Sequence, residues 1–269
     1  QNRHIRISLA YVIMIILIWI PMARRKSLAF LDVGQGDCFA ADTKSGVIIF
    51  DGGSSSEDQV GRYRILPYMK YLGYQKIQIA VISHMDVDHY SGIMELLEMG
   101  KIKYLGLPEI PKDEAMKKII GIAKKRGTTI FYLSMGRQIT TKDGSFKVLH
   151  PQKNSQMEKN AASLVMQGKI LGYRVLLTGD VEKEGEEELL SEELERTDIL
   201  KAAHHGSKNS TSNEFLQKVQ PKHTVISCGK QNRYGHPHSE TIHRLQTYHT
   251  KIYRTDQSGA IIFFKRRDG

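Results

Sequence analysis

Two histidines and two aspartates lie within six residues of each other, directly after an apolar run. The run covers residues 77–82, and the polar residues are His84, Asp86, Asp88 and His89. In an extended or turning backbone, side chains two residues apart project to one side, so the first three can converge while His89 turns to a second point. Imidazole and carboxylate ligands together favour zinc, manganese or iron over calcium or magnesium. The spacing predicts two neighbouring metal ions, although a solvated loop after a strand has a similar composition.

Further polar groups follow other strand-like runs. Asp180 closes one run in the sequence Thr-Gly-Asp, His204 and His205 close another, and His236 and His238 lie on a loop after a third. Strands fix such side chains rigidly at one edge of a sheet. We therefore expect these groups to gather with the first cluster. Taken singly, each group also fits a strand-ending turn, a surface pair or a polar loop.

The soluble part of the chain is expected to form one domain built from two similar halves. Predicted strands cover 28–33, 38–41, 46–53, 77–82, 102–107, 128–133, 146–149, 163–167, 173–178, 199–203 and 223–227. Predicted helices cover 64–72, 91–98, 113–126, 182–194, 212–219 and 239–248. A hairpin over 251–264 is expected to end the chain. Helices between predominantly antiparallel strand groups imply two packed sheets with helices outside.

Composition sets broad limits. The chain has 269 residues, a formal net charge of +10 and a sequence pI of about 9.4. Such an excess of positive charge attracts polyanions such as nucleic acid or acidic lipid. The two cysteines, Cys38 and Cys228, exclude a disulfide framework and a four-thiolate zinc site. We expect both to be buried free thiols.

The first residues differ from the rest. Residues 7–23 carry no charge and are flanked by basic residues on both sides, which predicts one transmembrane helix at the lower limit of length. A secretory signal peptide is the alternative, but Arg24, Arg25 and Lys26 stand where a small-residue cleavage site would be expected. We interpret residues 1–26 as the end of a membrane region and residues 27–269 as one further domain. The flanking charges give no orientation.

A series of motifs resembles a known family. The motifs are Phe-Leu-Asp-Val-Gly-Gln-Gly-Asp at 30–37, Asp-Gly-Gly at 51–53, Ser-His-Met-Asp-Val-Asp-His at 83–89, Leu-Thr-Gly-Asp at 177–180, His-His-Gly-Ser at 204–207 and Gly-His-Pro-His at 235–238. Together they resemble the metallo-β-lactamase superfamily, and within it the C-terminal domain of the ComEC family of bacterial DNA-uptake channel proteins. The resemblance implies an α+β fold, an αββα four-layer sandwich, with a two-metal site at one edge.

The resemblance also assigns ligands. His84 and Asp86 would hold the first metal ion, Asp88, His89 and His205 would hold the second, and Asp180 would bridge the two. The superfamily commonly has histidine where Asp86 stands, and it commonly has a third histidine for the first metal ion. In the corresponding interval this sequence offers only His150, and the segment from Asn160 to Val165 occupies that place without a strong ligand. An oxygen-rich first site makes manganese as plausible as zinc.

Two adjacent cations can lower the pKa of a water molecule held between them and offset the charge of a phosphodiester under attack. Asp86 or Asp88 is expected to accept the proton of that water. His236 and His238 are expected to stabilise the developing charge or to protonate the leaving oxygen, and Lys208 is expected to assist catalysis by donating to the phosphate. The residues expected to bind substrate are Ser207, Lys208, Asn209, Asn160, Ser163, His204 and His238.

Basic residues and the resemblance together predict DNA as substrate. The expected function is a nuclease that degrades the strand not taken up during competence, on the external face of the cell membrane. Its expected partners are the membrane, the transmembrane channel portion of the same protein and other components of the uptake machinery. Two alternatives stay open: a different hydrolase of the same fold, such as a choline-phosphate phosphodiesterase, and a non-catalytic DNA-binding module. An aromatic choline pocket would favour the former, and binding without cleavage would favour the latter.

Overall fold

The computed structural model describes Tyr11, residues 25–157 and residues 160–266. In these described residues, no helix combines the length and apolar character that a membrane span requires. Apart from Tyr11, the transmembrane helix predicted at 7–23 lies outside them. The predicted domain boundary after residue 26 stays a prediction.

Within the described residues, fourteen strands form two seven-stranded sheets. The first sheet has the order β14-β1-β2-β3-β4-β5-β6 and the second the order β13-β12-β11-β10-β9-β8-β7. The strands of the first half are β1 (Ser27–Phe30), β2 (Phe39–Thr43), β3 (Gly46–Phe50), β4 (Ile77–Val81), β5 (Ile102–Pro108) and β6 (Thr129–Leu133). Those that follow are β7 (Gln138–Thr141), β8 (Gly144–His150), β9 (Val165–Ile170), β10 (Tyr173–Leu177), β11 (Ile199–Lys201), β12 (His223–Ile226), β13 (Lys251–Arg254) and β14 (Ile261–Phe264).

Helices cover the outer faces of both sheets. They are α1 (Leu66–Tyr71), which continues a π-helical turn at Gly61–Ile65, then α2 (Val87–Glu98), α3 (Glu114–Lys125), α4 (Lys183–Ser191), α5 (Asn213–Val219), α6 (Ser239–Thr247) and the single turn α7 (Thr255–Ser258). Apolar side chains of α2 and α3 pack on the first sheet, and those of α4, α5 and α6 pack on the second. A separate apolar cluster lies between the sheets. The predicted αββα sandwich is confirmed.

Strand β1 shows why two layers form. All four of its residues are buried. Leu28 and Phe30 contribute to the core between the sheets, whereas Ala29 contributes to the core under the helices. Alternate side chains point to opposite faces of a strand, so an apolar run of this kind can be buried only by a layer on each side.

Two expectations about the strands were wrong. Each sheet is mixed rather than predominantly antiparallel, because β3, β4, β5 and β6 run parallel to one another, as do β10, β11, β12 and β13. The hairpin predicted at 251–264 does not form: β13 pairs with β12 in the second sheet, and β14 pairs with β1 in the first. Helix α7 intervenes, and the Thr255 side chain bonds both the N–H and the C=O of Cys228, so the chain crosses between sheets there.

Candidate metal centre

The metal-ligand residues lie where strands of the two sheets end. His84 follows β4, Asp180 follows β10, and His205 lies in a 3₁₀ turn, Ala203–Gly206, that follows β11. Strands β10 and β11 are parallel, so their carboxyl ends share one edge of the second sheet. The Thr-Gly-Asp turn approaches the first sheet closely: a side chain at Gly179 would lie 3.0 Å from Ser83 and Ser163. The two sheet edges are thereby joined, which confirms that residues far apart in the sequence meet there.

His89 lies in the first turn of α2 and is completely buried. Its Nδ1 is 3.0 Å from the Asp51 carboxylate, and its Nε2 is 3.1 Å from Oδ2 of Asp180. An acceptor at one ring nitrogen fixes the orientation of the other, which is the usual arrangement of a metal-binding histidine. Asp51 therefore aims His89 at Asp180.

His205 is held in the same way from the second sheet. Its Nδ1 is 2.9 Å from the carbonyl oxygen of Ser227. Its Nε2 is 3.3 Å from Oδ2 of Asp180 and 3.4 Å from Oδ2 of Asp88. Two buried imidazoles and two carboxylates thus converge, and these are the four residues predicted for the second metal ion.

His84 defines the neighbouring first position. Its Nδ1 lies 3.0 Å from the Ser83 hydroxyl, its Nε2 lies 3.7 Å from Asp86, and its ring centroid is 4.1 Å from that of His89. His150, the single histidine between the first cluster and Asp180, contacts the Ala161 carbonyl and Glu188 instead. Among the described residues it does not join the cluster, and the expected weakness of the first position stays a prediction.

The donor set fits divalent cations. Within the described part of the chain, Nε2 of His84, His89 and His205 is buried and lacks a hydrogen-bond partner in each case. Leaving a buried polar atom unsatisfied costs about 1–3 kcal/mol. Three such nitrogens beside Asp86, Asp88 and Asp180 offer the mixed imidazole and carboxylate ligands that zinc and manganese accept.

The electrostatics of the centre favour added positive charge. Burial lowers the pKa of His205, but the charges of Asp180 and Asp37 raise it to about 10 overall. Burial raises the pKa of Asp180, but the charges of His205 and His89 hold it well below its usual range. For Asp88, burial raises the pKa, but the ion-pair contact with His205 and the charge of His89 outweigh it and lower the pKa to about 2. Because metal ligands must be deprotonated, a bound cation would replace the histidine protons.

Two further buried residues at the centre were not predicted as site residues. Asp37 lies within 4.8 Å of the ligand atoms of His89, Asp180 and His205. Its carboxylate is 3.7 Å from Nδ1 of both histidines, behind the rings rather than at their free Nε2 atoms. It forms a close ion pair with the ammonium of Lys201. We therefore assign Asp37 to the support of the site rather than to its ligands.

Lys201 is a buried cation inside the centre, 4% exposed. Its ammonium donates to the carbonyl oxygen of Gly179 at 2.9 Å and lies 3.4 Å from Oδ1 of Asp180. Burial lowers its pKa, but Asp37 and Asp180 raise it above the ordinary value, so the side chain stays charged. Lys201 thus occupies Oδ1 of Asp180 and leaves Oδ2 facing the histidines. A lysine inside the apolar run at 199–203 was the available signal in the sequence.

Comparison with known proteins identifies the family. The model of the family described as "Metallo-beta-lactamase superfamily" matches residues 31–230. The chain belongs to the metallo-β-lactamase superfamily. It is thus a hydrolase of this superfamily by fold and by its buried metal-ligand cluster. The YhfI protein of Bacillus subtilis, which also has the metallo-β-lactamase fold, aligns with a TM-score of 0.59 at 13% identity, over 88% of this chain and 99% of YhfI.

Relatives with competence names are more similar in sequence. ComE operon protein 3 of Bacillus subtilis (strain 168) is 34% identical over 278 residues, which cover 96% of this chain and 35% of that protein. Competence protein ComA of Neisseria gonorrhoeae is 30% identical over 245 residues, 88% of this chain and 32% of that protein. The chain spans about a third of the length of these relatives. The predicted resemblance to the metallo-β-lactamase domain of the ComEC family is confirmed.

Four residues predicted to bind substrate differ in their exposure to solvent. Lys208 and Asn209 are exposed, as expected for substrate-binding residues. Ser207 is buried, and its hydroxyl accepts from the Asn209 N–H at 3.3 Å. Ser163 is also buried and accepts from the Asp180 N–H at 3.3 Å. In this metallo-β-lactamase domain both serine side chains therefore form hydrogen bonds within the turns that carry the metal-ligand residues. Their predicted contact with substrate stays a prediction.

His204 lies closer to the metal centre than a purely substrate-facing residue would. Its Nδ1 is 2.8 Å from Glu182, and its Nε2 is 3.9 Å from Oδ2 of Asp180. Both His204 and His205 have left-handed backbones, with φ of 47° and 52°. These two consecutive strained residues direct both rings towards Asp180. Backbone strain of this kind is common at functional sites.

Asn160 and Lys208 line a cleft of about 1270 Å³ beside this turn. Residues 207–211 are held by two side chains that sequence reasoning missed. Glu186 accepts from the N–H groups of Thr211 and Ser212, and Arg244 donates to the carbonyls of Lys208, Ser210 and Thr211. Both reach the loop from helices, α4 and α6, so local sequence gave no sign of the contact.

The Gly-His-Pro-His loop closes the other side. The His236 ring stacks near His205, with centroids 6.2 Å apart, and lies 5.4 Å from the His204 ring. Burial and the positive charges of His205 and His204 lower the pKa of His236 to about 4, so it is neutral at neutral pH. Nδ1 of His238 accepts from the Lys208 N–H at 3.3 Å. The catalytic role of His236 and the substrate contact of His238 stay predictions.

Proposed function

We propose that this chain is a metal-dependent phosphodiesterase that cleaves DNA, the nuclease of a competence-related uptake system. The observation that carries the proposal is the group of three buried, unpartnered Nε2 atoms beside Asp86, Asp88 and Asp180. The competence names of the relatives and the net charge of +10 support a polyanionic substrate.

In this proposal, His84 and Asp86 would hold one cation, Asp88, His89 and His205 would hold the other, and Asp180 would be available to both. Two divalent ions, manganese or zinc, supply electrophilic activation and charge neutralisation when bound. Asp51 contacts Nδ1 of His89, and the Ser227 carbonyl contacts Nδ1 of His205. These contacts orient the Nε2 atom of each ring towards the position that a cation would occupy. Asp86 is the most exposed carboxylate of the set, with 38% of its side chain exposed, and it would accept a proton at the carboxylate oxygen that does not face His84.

The residues around the centre would bind and orient the phosphodiester. Lys208 and Asn209 stand exposed beside it and offer an ammonium and an amide to phosphate oxygens. Neutral His236 would donate a hydrogen bond rather than a full charge. His204, held by Glu182, would orient the scissile group next to Asp180.

The proposed setting is the bacterial cell membrane, with the domain on the external face, where a strand that is not taken up would be met. The partners would be the membrane, a transmembrane channel portion of the same protein and other uptake components. The names of the relatives support this setting. So does the apolar stretch at 7–23.

The test uses the whole 269-residue chain with labelled single- and double-stranded DNA. Manganese or zinc is expected to support cleavage, and a chelator is expected to stop it. Asp180→Asn keeps the shape of the side chain but removes its charge, so cleavage should fall to background. His243→Gln, on the exposed face of α6, is the matched control and should keep full activity.

Cleavage by Asp180→Asn at the wild-type rate, or no cleavage by the wild type with any divalent ion, would refute the nuclease. Hydrolysis of a phosphocholine ester without cleavage of DNA would instead identify another hydrolase of the same fold. Salt-dependent DNA binding without any hydrolysis would identify a binding module.

A further inference from the structure

We propose that Tyr234, together with Arg233, forms a stacking platform for an unpaired base of single-stranded DNA at the rim of the metal centre. This inference rests on the proposed nuclease function and specifies the form of its substrate. Aromatic rings that stack bases, next to cations that follow the backbone, are how proteins bind single strands without sequence preference.

A series of rings connects Tyr234 to the metal centre. The rings of Tyr234 and His236 are stacked, with centroids 5.7 Å apart and planes inclined by 22°. His236 is stacked in turn on His205, at 6.2 Å and 30°. Tyr234 is therefore two rings away from the ligand His205, yet it is 43% exposed. A base stacked on it would bring the neighbouring phosphates close to Asp88 and Asp180.

The loop that carries Tyr234 is rigidly held. The Asn232 side chain donates to the carbonyls of Gly229 and His236 at 2.9 and 2.6 Å, and accepts from the His236 N–H at 3.0 Å. The His238 N–H donates to the Gly206 carbonyl at 3.0 Å. A fixed aromatic ring loses little freedom on binding, which favours affinity.

Charge directs a polyanion to this side of the centre. Residues 229–238 include Lys230 and Arg233 and no carboxylate. The Arg233 guanidinium lies 4.8 Å from the Tyr234 ring centroid and donates to its hydroxyl at 2.6 Å. The hydrogen bond to Tyr234 and, to a smaller extent, the charge of Asp88 raise the pKa of Arg233, so its guanidinium stays positively charged.

The opposite side is less suitable for DNA. The cleft of about 1270 Å³ beside α4 is lined by five glutamates against three basic residues. Of the three, Arg244 is already engaged with backbone carbonyls. The glutamates of that wall would repel a phosphate backbone, so beyond the phosphate that contacts Lys208 and Asn209 the strand should leave the centre over Arg233 and Tyr234.

The test compares three fluorescent oligonucleotides of equal length: oligo-dT, the same chain with abasic sugars, and a duplex. Binding is measured with the whole chain in chelator, and KM and kcat are measured with manganese. Tyr234→Ala should weaken binding of oligo-dT about tenfold and raise KM by a similar factor, with kcat little changed. Tyr234→Phe, which retains the ring, should bind like wild type.

Two comparisons isolate the ring from the charge. Wild type and Tyr234→Ala should bind the abasic chain equally, because it has phosphates but no bases. Tyr71→Ala removes a tyrosine that is more exposed than Tyr234, at 73%. It lies at the end of α1, before β4 and away from the metal edge. That control should bind oligo-dT like wild type.

Equal binding of oligo-dT by wild type and Tyr234→Ala, or equal binding of oligo-dT and the abasic chain by wild type, would overturn the platform. The binding arm does not depend on catalysis. If the wild type cleaves nothing but still discriminates oligo-dT through Tyr234, the nuclease fails and the platform stands. If cleavage is metal-dependent but insensitive to Tyr234, the platform fails and the nuclease stands.

Discussion

At the scale of single residues, the centre combines cation-binding carboxylates with a cation of its own. Lys201 is buried against Asp37, Asp180 and the Gly179 carbonyl. Without Lys201, the buried carboxylates of Asp37 and Asp180 would repel each other. Unpaired buried charges are strongly destabilising. Lys201 also directs Asp180 so that one oxygen remains for metal. The ion pair between Asp37 and Lys201 therefore stabilises the folded state of the metal-free protein.

Lys201→Met should destabilise the metal-free chain by about 3–5 kcal/mol, because it leaves Asp37 buried and uncompensated. Adding Asp37→Asn should recover more than half of that loss, since the pair is then neutral. Urea unfolding in the presence of a chelator measures the free energy of unfolding of the single and the double variant. Lys222→Met removes an exposed lysine, also paired with an aspartate, and should cost about 1 kcal/mol or less. A double variant no more stable than Lys201→Met would disprove this role of the pair.

At the scale of elements, the function depends on how short turns follow strands. The gathering of the segments after β4, β10 and β11 was predictable, because apolar runs that end in polar residues indicate strand ends at one sheet edge. The supporting residues were not predictable. Glu186 and Arg244 reach the loop after His205 from helices distant in sequence. Local patterns contain no information about such contacts.

The wrongly predicted hairpin at 251–264 also shows that local sequence does not reveal tertiary contacts. Two short apolar runs separated by polar residues and a glycine are typical of a hairpin. Local sequence did not show that the intervening residues form α7 and are anchored to Cys228 by Thr255. Which sheet a strand joins is decided by tertiary contacts of this kind.

The packing of two loops gives a prediction at this scale. Gly206 has a positive φ of 83°, and a Cβ there would lie 2.6 Å from Pro237. Gly206→Ala should therefore push the Gly-His-Pro-His loop from the centre and reduce cleavage by about a hundredfold, as expected for a misplacement of about 1 Å. Gly235→Ala has a similar φ of 69° but meets nothing within 4 Å, so only backbone strain is added.

Cleavage rates and melting temperatures of the two alanine variants separate the effects. Both should lose about 1–3 kcal/mol of stability from the left-handed backbone, whereas the large loss of activity should occur only in Gly206→Ala. Equal activity in the two variants would show that contact between Gly206 and Pro237 does not position the loop.

At the scale of the whole molecule, the two sheets are linked by the end of the chain. After α7 in the second layer, β14 pairs with β1 at the edge of the first sheet. The next residues then bond to both halves: the Lys265 N–H donates to the Lys26 carbonyl, and the Arg266 N–H donates to the Leu171 carbonyl. The metal centre draws ligands from both sheets, so its geometry depends on their mutual position. A strand that links the sheets therefore stabilises the centre from a distance.

Neighbouring isoleucines in β14 test this dependence. Ile261 is 8% exposed and packs in the core between the sheets, whereas Ile262 is 41% exposed. Ile261→Ala should cost about 2–4 kcal/mol of unfolding free energy, and Ile262→Ala should cost about 0.5 kcal/mol or less. Because the sheets share one core, Ile261→Ala should accelerate hydrogen exchange at Val175 in the second sheet as much as at Ile49 in the first. Faster exchange confined to the first sheet would show that the two halves unfold separately and would contradict this dependence.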